Sequence, residues 1–235
     1  MSQNKHENRR EKKHTGKRIR NVGSEPAPKE PVGLRVIGGN LRGSKLQYIG
    51  DNRVRPMKDR VREALFNLIG PAVKGSYAVD LFGGTGALAI EAISRGAVGA
   101  AVIEIHLPTA ALLRQNIDSL NLLNKCRLYK TDAFFWVQNT AEHPPKDVPW
   151  LVFCSPPYSF YIDRQEEMLK MLGSIYQEAP DNSVFALEFD KRFSEKISGE
   201  GIFDTEILDT GILPFSLSSA RIREYPPAVV AVFSK

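Results

Sequence analysis

From about residue 75 onward, short apolar runs alternate with longer stretches in which apolar positions recur every three or four residues. Residues 77–82, 100–105, 150–154 and 184–189 are apolar at nearly every successive position, the pattern of strands buried on both faces. Residues 127–130 form a weaker strand candidate between the second and third of these. The helical spacing predicts helices over 87–94, 109–120, 133–137 and 164–178. The end of the chain differs, because residues 205–213 and 228–234 have no long helix between them, which predicts a terminal antiparallel hairpin. Strand–helix alternation of this kind predicts an α/β, doubly wound, Rossmann-like sheet, mostly parallel with a C-terminal antiparallel hairpin. Ligands of such sheets bind at the C-terminal edges of the strands.

Ahead of the array, residues 34–37 and 45–49 read as two short strands joined as a hairpin across Gly38-Gly39 and Gly43. Asp59 is placed to cap a helix over 60–69, where Val61, Leu65, Leu68 and Ile69 form one apolar stripe and Gly70-Pro71 ends it. Residues 1–32 are polar and charged, with Glu-Pro-Ala-Pro near their end, and read as a disordered basic arm. The predicted organisation is therefore an arm at 1–32, a small hairpin-and-helix extension at 33–72, and a catalytic domain at 73–235.

Charge sharpens this division. Residues 1–30 hold nine Lys/Arg against four Asp/Glu, residues 31–62 hold eight against two, and the remainder holds 15 against 21. An acidic body with a basic N-terminal quarter points to a polyanion docking at one end. The candidate phosphate contacts are Arg35, Arg42, Lys45, Arg53, Arg55, Lys58, Arg60 and Arg62. Singly, each is more often a solvated charge; together they predict salt-dependent nucleic-acid binding. Arg62 and Glu63 have a rival role, at the interface between this helix and the main domain. Two cysteines, Cys126 and Cys154, make neither a disulfide framework nor a zinc motif, so no metal is expected. Cys154 reads as a small buried hydrophobe. No run of 18 apolar residues and no signal-peptide core are present, so a cytoplasmic setting without a membrane span is expected, with a monomer as the default.

The first strand of the array runs into Val79-Asp80-Leu81-Phe82-Gly83-Gly84-Thr85-Gly86, where a helix opens. Glycines at such a turn let the backbone bend sharply and let a ligand approach the main chain. Gly84-Thr85-Gly86 with Ala89 nearly matches a dinucleotide fingerprint, so a nicotinamide cofactor is a legitimate rival. Asp80 counts against it, because a carboxylate there repels a pyrophosphate but suits the methionine ammonium of S-adenosylmethionine. Glu104, followed by Ile105 at the end of the second strand, is placed to accept ribose hydroxyls in either cofactor class. Asp132 and Ala133, after the third strand, are candidates for the adenine; Asp132 serves equally as a helix N-cap, and the two roles are compatible.

Ser155-Pro156-Pro157-Tyr158 follows the apolar strand at 150–154. Two prolines fix φ and remove two donors, leaving a stiff turn rich in acceptors. The nitrogen of a base amine is a weak nucleophile, since its lone pair is delocalised into the ring. Acceptors on its two N–H bonds push it towards tetrahedral geometry and free the lone pair. The Ser155 hydroxyl oxygen and the Pro156 carbonyl are the candidate acceptors. Tyr158 offers a ring on which a flipped-out base stacks, contributing about 1–3 kcal/mol. A proline-rich loop alone would be unremarkable; behind a cofactor loop it predicts amine methylation.

With these residues in place, the chain resembles the bacterial small-subunit (16S) rRNA guanine-N2 methyltransferase family, RsmD-like, over residues 33–235. The resemblance lies in Leu34-Arg35-Val36-Ile37-Gly38-Gly39 with Leu41-Arg42-Gly43, and in Arg55-Pro56 followed by Asp59-Arg60-Val61-Arg62-Glu63-Ala64-Leu65-Phe66-Asn67. It continues through the segment from Asp80 to Leu88 and Glu91-Ala92-Ile93-Ser94-Arg95-Gly96-Ala97. It implies a seven-stranded methyltransferase sheet, S-adenosylmethionine as methyl donor, and guanine N2 of 16S rRNA in the small ribosomal subunit as substrate. Three positions depart from the family pattern: Ser155 where Asp or Asn usually opens the catalytic loop, Met57 where Thr is common, and His106-Leu107 in place of Asp-Arg. Ser-Pro-Pro-Tyr also resembles the loop of cytosine-N4 DNA methyltransferases, which makes that activity the enzyme rival. A non-catalytic assembly factor binding rRNA and S-adenosylmethionine is the rival of another class.

Overall fold

The computed structural model describes residues 33–48, 50, 56–139, 144–190 and 220–235. One seven-stranded sheet organises them. Its strands are β1 (Tyr77–Asp80), β2 (Gly99–Ile103), β3 (Cys126–Tyr129), β4 (Trp150–Cys154), β5 (Val184–Asp190), β6 (Arg221–Tyr225) and β7 (Ala228–Ser234). They lie in the order β3-β2-β1-β4-β5-β7-β6. The first five are parallel, and β7 and β6 close the sheet antiparallel. The chain moves outward from β1 to β3, returns to β4, and then builds in the other direction. The gap between the C-terminal ends of β1 and β4 is therefore the topological switch point.

The helices are α1 (Asp59–Ile69), α2 (Ala87–Ser94), α3 (Leu107–Ser119), α4 (Ala133–Asn139), α5 (Phe160–Asp163) and α6 (Gln165–Glu178). Side chains of β4 alternate between two cores, as a sheet covered on both faces requires. Leu151 and Phe153 join Leu65 and Phe66 of α1, Ile90 of α2 and Leu113 of α3. Trp150, Val152 and Cys154 join Trp136 of α4 and Met168, Met171 and Leu172 of α6. Both cysteines are buried and free. Burial pushes each thiol up to about 12, so neither is a nucleophile at neutral pH.

Two expectations about the extension need correction. The predicted N-terminal hairpin is a single antiparallel bridge, Arg35 to Lys45, flanked by hydrogen bonds from Val36 N to Ser44 O and from Leu46 N to Leu34 O. Longer pairing is unnecessary, because the segment gains its stability by packing Leu34, Val36 and Leu46 into the core shared with α1 and α2. Gly39 adopts φ 74°, and a Cβ there would lie 1.8 Å from the Ser94 carbonyl oxygen, so only glycine allows this approach. Secondly, α1 begins at Asp59 after Lys58, with no side-chain cap. The Asp59 carboxylate instead accepts from Arg35 Nε at 3.1 Å and Arg62 Nη2 at 3.0 Å. The expected C-terminal antiparallel hairpin is present and pairs Arg221–Tyr225 with Ala228–Ser234. The strand expected at 205–213 lies outside the described residues, as does Ile49.

Candidate active site at the sheet switch point

Register places the glycine loop and the Ser-Pro-Pro-Tyr loop side by side. Asp80 of β1 faces Phe153 of β4 across the parallel ladder, and Leu81 N donates to Phe153 O at 3.1 Å. The two loops therefore leave the same edge of neighbouring strands. The turn after β1 is fixed by its own bonds, Gly83 N to Ile103 O at 2.8 Å and Gly86 N to Gly83 O at 2.7 Å. Gly86 has φ 81°, and a Cβ there would lie 2.1 Å from Leu113 of α3. This glycine is required by close helix packing as much as by any ligand. Thr85 is buried, and its carbonyl accepts from Asn116 Nδ2 at 3.0 Å.

Asp80 is 1% exposed, and neither carboxylate oxygen has a hydrogen-bond partner of ordinary geometry. Burial raises its pKa to about 7; the nearby Phe82 and Ala89 N–H groups pull against that rise, while the Glu104 carboxylate adds to it. Glu104, just past β2, accepts from Gly84 N at 2.9 Å and His106 N at 2.7 Å. Its pKa is also raised by burial, opposed by these two backbone donors. Ile105 is exposed at 62% beside it, an apolar surface at the mouth of the site. His106 is half-buried, with Nδ1 2.7 Å from Thr109 Oγ1. After β3, Asp132 Oδ1 accepts from Phe134 N at 2.7 Å and Phe135 N at 3.2 Å, so the carboxylate caps α4, and Ala133 is buried behind it. Three carboxylates thus line the ends of β1, β2 and β3. One has no partner, and an environment of this sign suits a cationic ligand and disfavours a phosphate.

Phe82, Phe134 and Phe160 knit the three loops together. Their ring centroids lie 6.1–6.2 Å apart, and the Arg164 guanidinium sits 3.9 Å from the Phe134 centroid and 5.0 Å from that of Phe160. Phe82, read from sequence as a cofactor contact, belongs to this aromatic triangle.

In the catalytic loop, Pro156 is buried, Pro157 is exposed, and Ser155 and Tyr158 are half-buried. The Pro157 carbonyl accepts from Phe160 N at 2.9 Å, closing the turn into α5. Register explains a residue that sequence reasoning missed. Cys154 faces Leu187 of β5, so Ser155 emerges beside Glu188. Glu188 is 8% exposed. It accepts a short hydrogen bond from Ser155 Oγ at Oε2 and another from Tyr158 Oη, 2.9 Å, at Oε1. The available signal was a carboxylate inside the otherwise apolar, buried run at 184–189.

The basic residues divide. Arg35, Arg42, Lys45, Lys58 and Arg60 are exposed, although Arg35 is paired with Asp59. Arg53 and Arg55 lie outside the described residues. Arg62 is a correction: it is fully buried and donates to Met57 O at 3.1 Å, Arg35 O at 2.5 Å and Asp59 Oδ1. Its Nε lies 3.8 Å from the buried Glu91 carboxylate. A guanidinium committed in this way cannot meet a phosphate. Among the described residues, no group of three or more His, Cys, Asp or Glu side chains is arranged to hold a metal ion, and no helix is long and apolar enough to cross a membrane.

Residues 34–199 match the model of the family described as "Conserved hypothetical protein 95". The chain is 36% identical over 125 residues to "Ribosomal RNA small subunit methyltransferase D" of Buchnera aphidicola subsp. Acyrthosiphon pisum, covering 53% of this chain and 63% of that relative. It is 30% identical over 161 residues to "Putative rRNA methyltransferase YlbH" of Bacillus subtilis, covering 67% of this chain and 83% of that one. A solved structure, "Putative methyltransferase yhhF from Escherichia coli", superposes with a TM-score of 0.60 at 25% identity, covering 86% of this chain and 98% of that one. The first of these matches spans just under two thirds of the relative's length.

Proposed function

The chain belongs to the "Conserved hypothetical protein 95" family, the RsmD-like family that the sequence motifs suggested, and from that premise we propose that it is an rRNA methyltransferase. In this reading it uses S-adenosylmethionine to methylate the exocyclic N2 amine of a guanine in 16S rRNA of the small ribosomal subunit. The observation that carries the proposal is one juxtaposition: a buried carboxylate without a partner, Asp80, at the mouth shared with the Ser-Pro-Pro-Tyr loop.

S-adenosylmethionine fits these residues, and when bound it supplies a methyl group made electrophilic by the adjacent sulfonium. Asp80 receives the cofactor's ammonium, which supplies the partner its carboxylate lacks. Glu104 and Ile105 would hold the ribose and adenine side, with Phe82, Gly84, Thr85, Gly86, Asp132 and Ala133 as the remaining cofactor contacts. Ser155 Oγ and the Pro156 carbonyl accept from the substrate amine and turn its lone pair outward, while Tyr158 stacks on the base. The gain comes from positioning, since the loop contributes no nucleophile of its own. Arg42, Lys45, Lys58 and Arg60 supply exposed cations for rRNA phosphates. Residues 33–72 are then the rRNA-contacting part of the molecule and residues 73–235 the catalytic part.

The test is to incubate the purified protein with labelled S-adenosylmethionine and, in parallel, with small subunits from a strain lacking the family enzyme and with duplex DNA. Label in guanine N2 is expected. Label in DNA cytosine alone would move the assignment to the cytosine-N4 class. Cofactor and subunit binding without transfer would make the protein an assembly factor.

A further inference from the structure

We propose that Glu188 is a positioning residue that holds the proton of the Ser155 hydroxyl, with Tyr158 braced on the same carboxylate, so that Ser155 accepts only and the loop selects an amine and rejects a carbonyl. The inference rests on the amine-methylation reading above and deepens it at the same site. A serine or tyrosine hydroxyl has one proton and can serve either as donor or as acceptor towards a substrate. Here the choice has been made. Both protons point to one carboxylate, Ser155 Oγ–H to Oε2 and Tyr158 Oη–H to Oε1. The lone pairs of Ser155 Oγ are left for other donors, and the negative charge behind it strengthens it as an acceptor.

The consequence concerns the edge of the base. An exocyclic amine presents two N–H donors. A carbonyl oxygen or an unprotonated ring nitrogen presents only an acceptor and would leave buried lone pairs facing each other. A site built to hydrogen-bond one pattern discriminates strongly against the other, because the mismatch leaves groups unpaired. Ser155 stands where the family usually has Asp or Asn, whose side-chain oxygen accepts without help. A serine oxygen matches that behaviour only when its own proton is held elsewhere, and the register of β4 against β5 places Glu188 to hold it. The Ser155–Glu188 pair thus does in two residues what one carboxylate does alone. Glu188 acts through Ser155, and Ser155 itself is the contact with the substrate amine.

The experiment compares the full chain with Glu188→Gln, Ser155→Ala, the double variant, and Ser155→Asp in the Glu188→Gln background. Each is assayed for methyl transfer to small subunits and for S-adenosylmethionine affinity. A glutamine amide can accept from one hydroxyl but must donate towards the other, so Glu188→Gln is expected to lower kcat by about 10²-fold with cofactor affinity unchanged. In the Ser155→Ala background the same substitution should cost no more than about twofold, since the two residues act as a unit. Ser155→Asp should restore most of the lost rate. A merely structural role for Glu188 would lower the melting temperature in both backgrounds and give no rescue. Full activity of Glu188→Gln, or equal losses in the two backgrounds, would overturn the inference. Should Glu188→Gln fail to fold, Ser155→Asn and Ser155→Ala carry the test. Asparagine can donate to Glu188 and accept from the substrate at once, so it should keep activity where alanine loses it; equal rates for the two would again overturn the inference. An inactive wild-type chain would count against the methylation reading instead, so the two failures are distinguishable.

Discussion

Two carboxylates are buried within one βα unit, and their fates are opposite. Glu91, on α2, is 0% exposed and accepts from Ile37 N at 2.7 Å, Gly38 N at 2.8 Å and Arg95 Nε at 2.7 Å, with Arg62 Nε at 3.8 Å. Asp80, at the end of β1, is 1% exposed and has no such partner. Burying an ion costs several kcal/mol unless donors and counter-charges replace the lost water. At Glu91 the fold supplies them, and in doing so fastens the N-terminal segment and α1 to the domain. At Asp80 it does not, and its pKa near 7 records the deficit. A completed carboxylate marks architecture, whereas an uncompleted one at a sheet edge marks a place kept for a cation from outside.

The contrast can be broken at either end. Glu91→Ala leaves Arg62 buried without its counter-charge and removes the acceptor of two backbone amides. It should cost about 3–5 kcal/mol, read as a lower urea midpoint. Asp80→Asn should do the reverse to the unliganded chain, leaving its stability at pH 8 unchanged or raised. The same substitution should weaken S-adenosylmethionine binding by about 2 kcal/mol or more in calorimetry, as expected when one side of a buried charge pair is removed. A pH series sharpens the point. The folded pKa of Asp80 is raised from 3.8 to about 7, so the folded state holds this proton more tightly than the unfolded chain does. Unliganded stability from this group is therefore present below pH 3.8 and lost as pH rises through 7. Cation binding needs the ionised form, so affinity should rise by up to about tenfold per pH unit below 7, then level off. Asp80→Asn should flatten that profile. The smallest effects belong to the surface. Neutralising Lys58 or Arg60 should reduce the salt slope of small-subunit binding by about one each, whereas Arg62→Ala should lower stability.

Strands β1, β2, β4, β5 and β7 were legible because they are apolar at nearly every position. Trp150–Cys154 falls where its pattern puts it, and β1, β2, β3 and β5 shift only at their ends. β6 was missed because Arg221–Tyr225 is an edge strand of polar, largely exposed residues with no apolar run to announce it. The glycine loop and the Ser-Pro-Pro-Tyr loop were legible from local residue types. Arg62 was not, because a basic residue among basic residues reads as surface until the fold encloses it. Glu188 was hidden for a different reason. Its partners are set by the register of β4 on β5, a long-range relation that no local window carries.

Asn116 reaches two segments at once. Its side-chain oxygen accepts from Gln47 N at 2.7 Å, and its amide donates to Gln47 O at 3.1 Å and to Thr85 O at 3.0 Å. One buried amide on α3 thereby ties the segment carrying Lys45 to the turn carrying Thr85. Ser94 does the same from α2, accepting from Leu41 N at 2.9 Å and donating to Gly38 O at 2.5 Å. Residues 33–48 are therefore not a portable module. A chimaera that swaps this segment between relatives should fold only if Glu91, Ser94 and Asn116 travel with it.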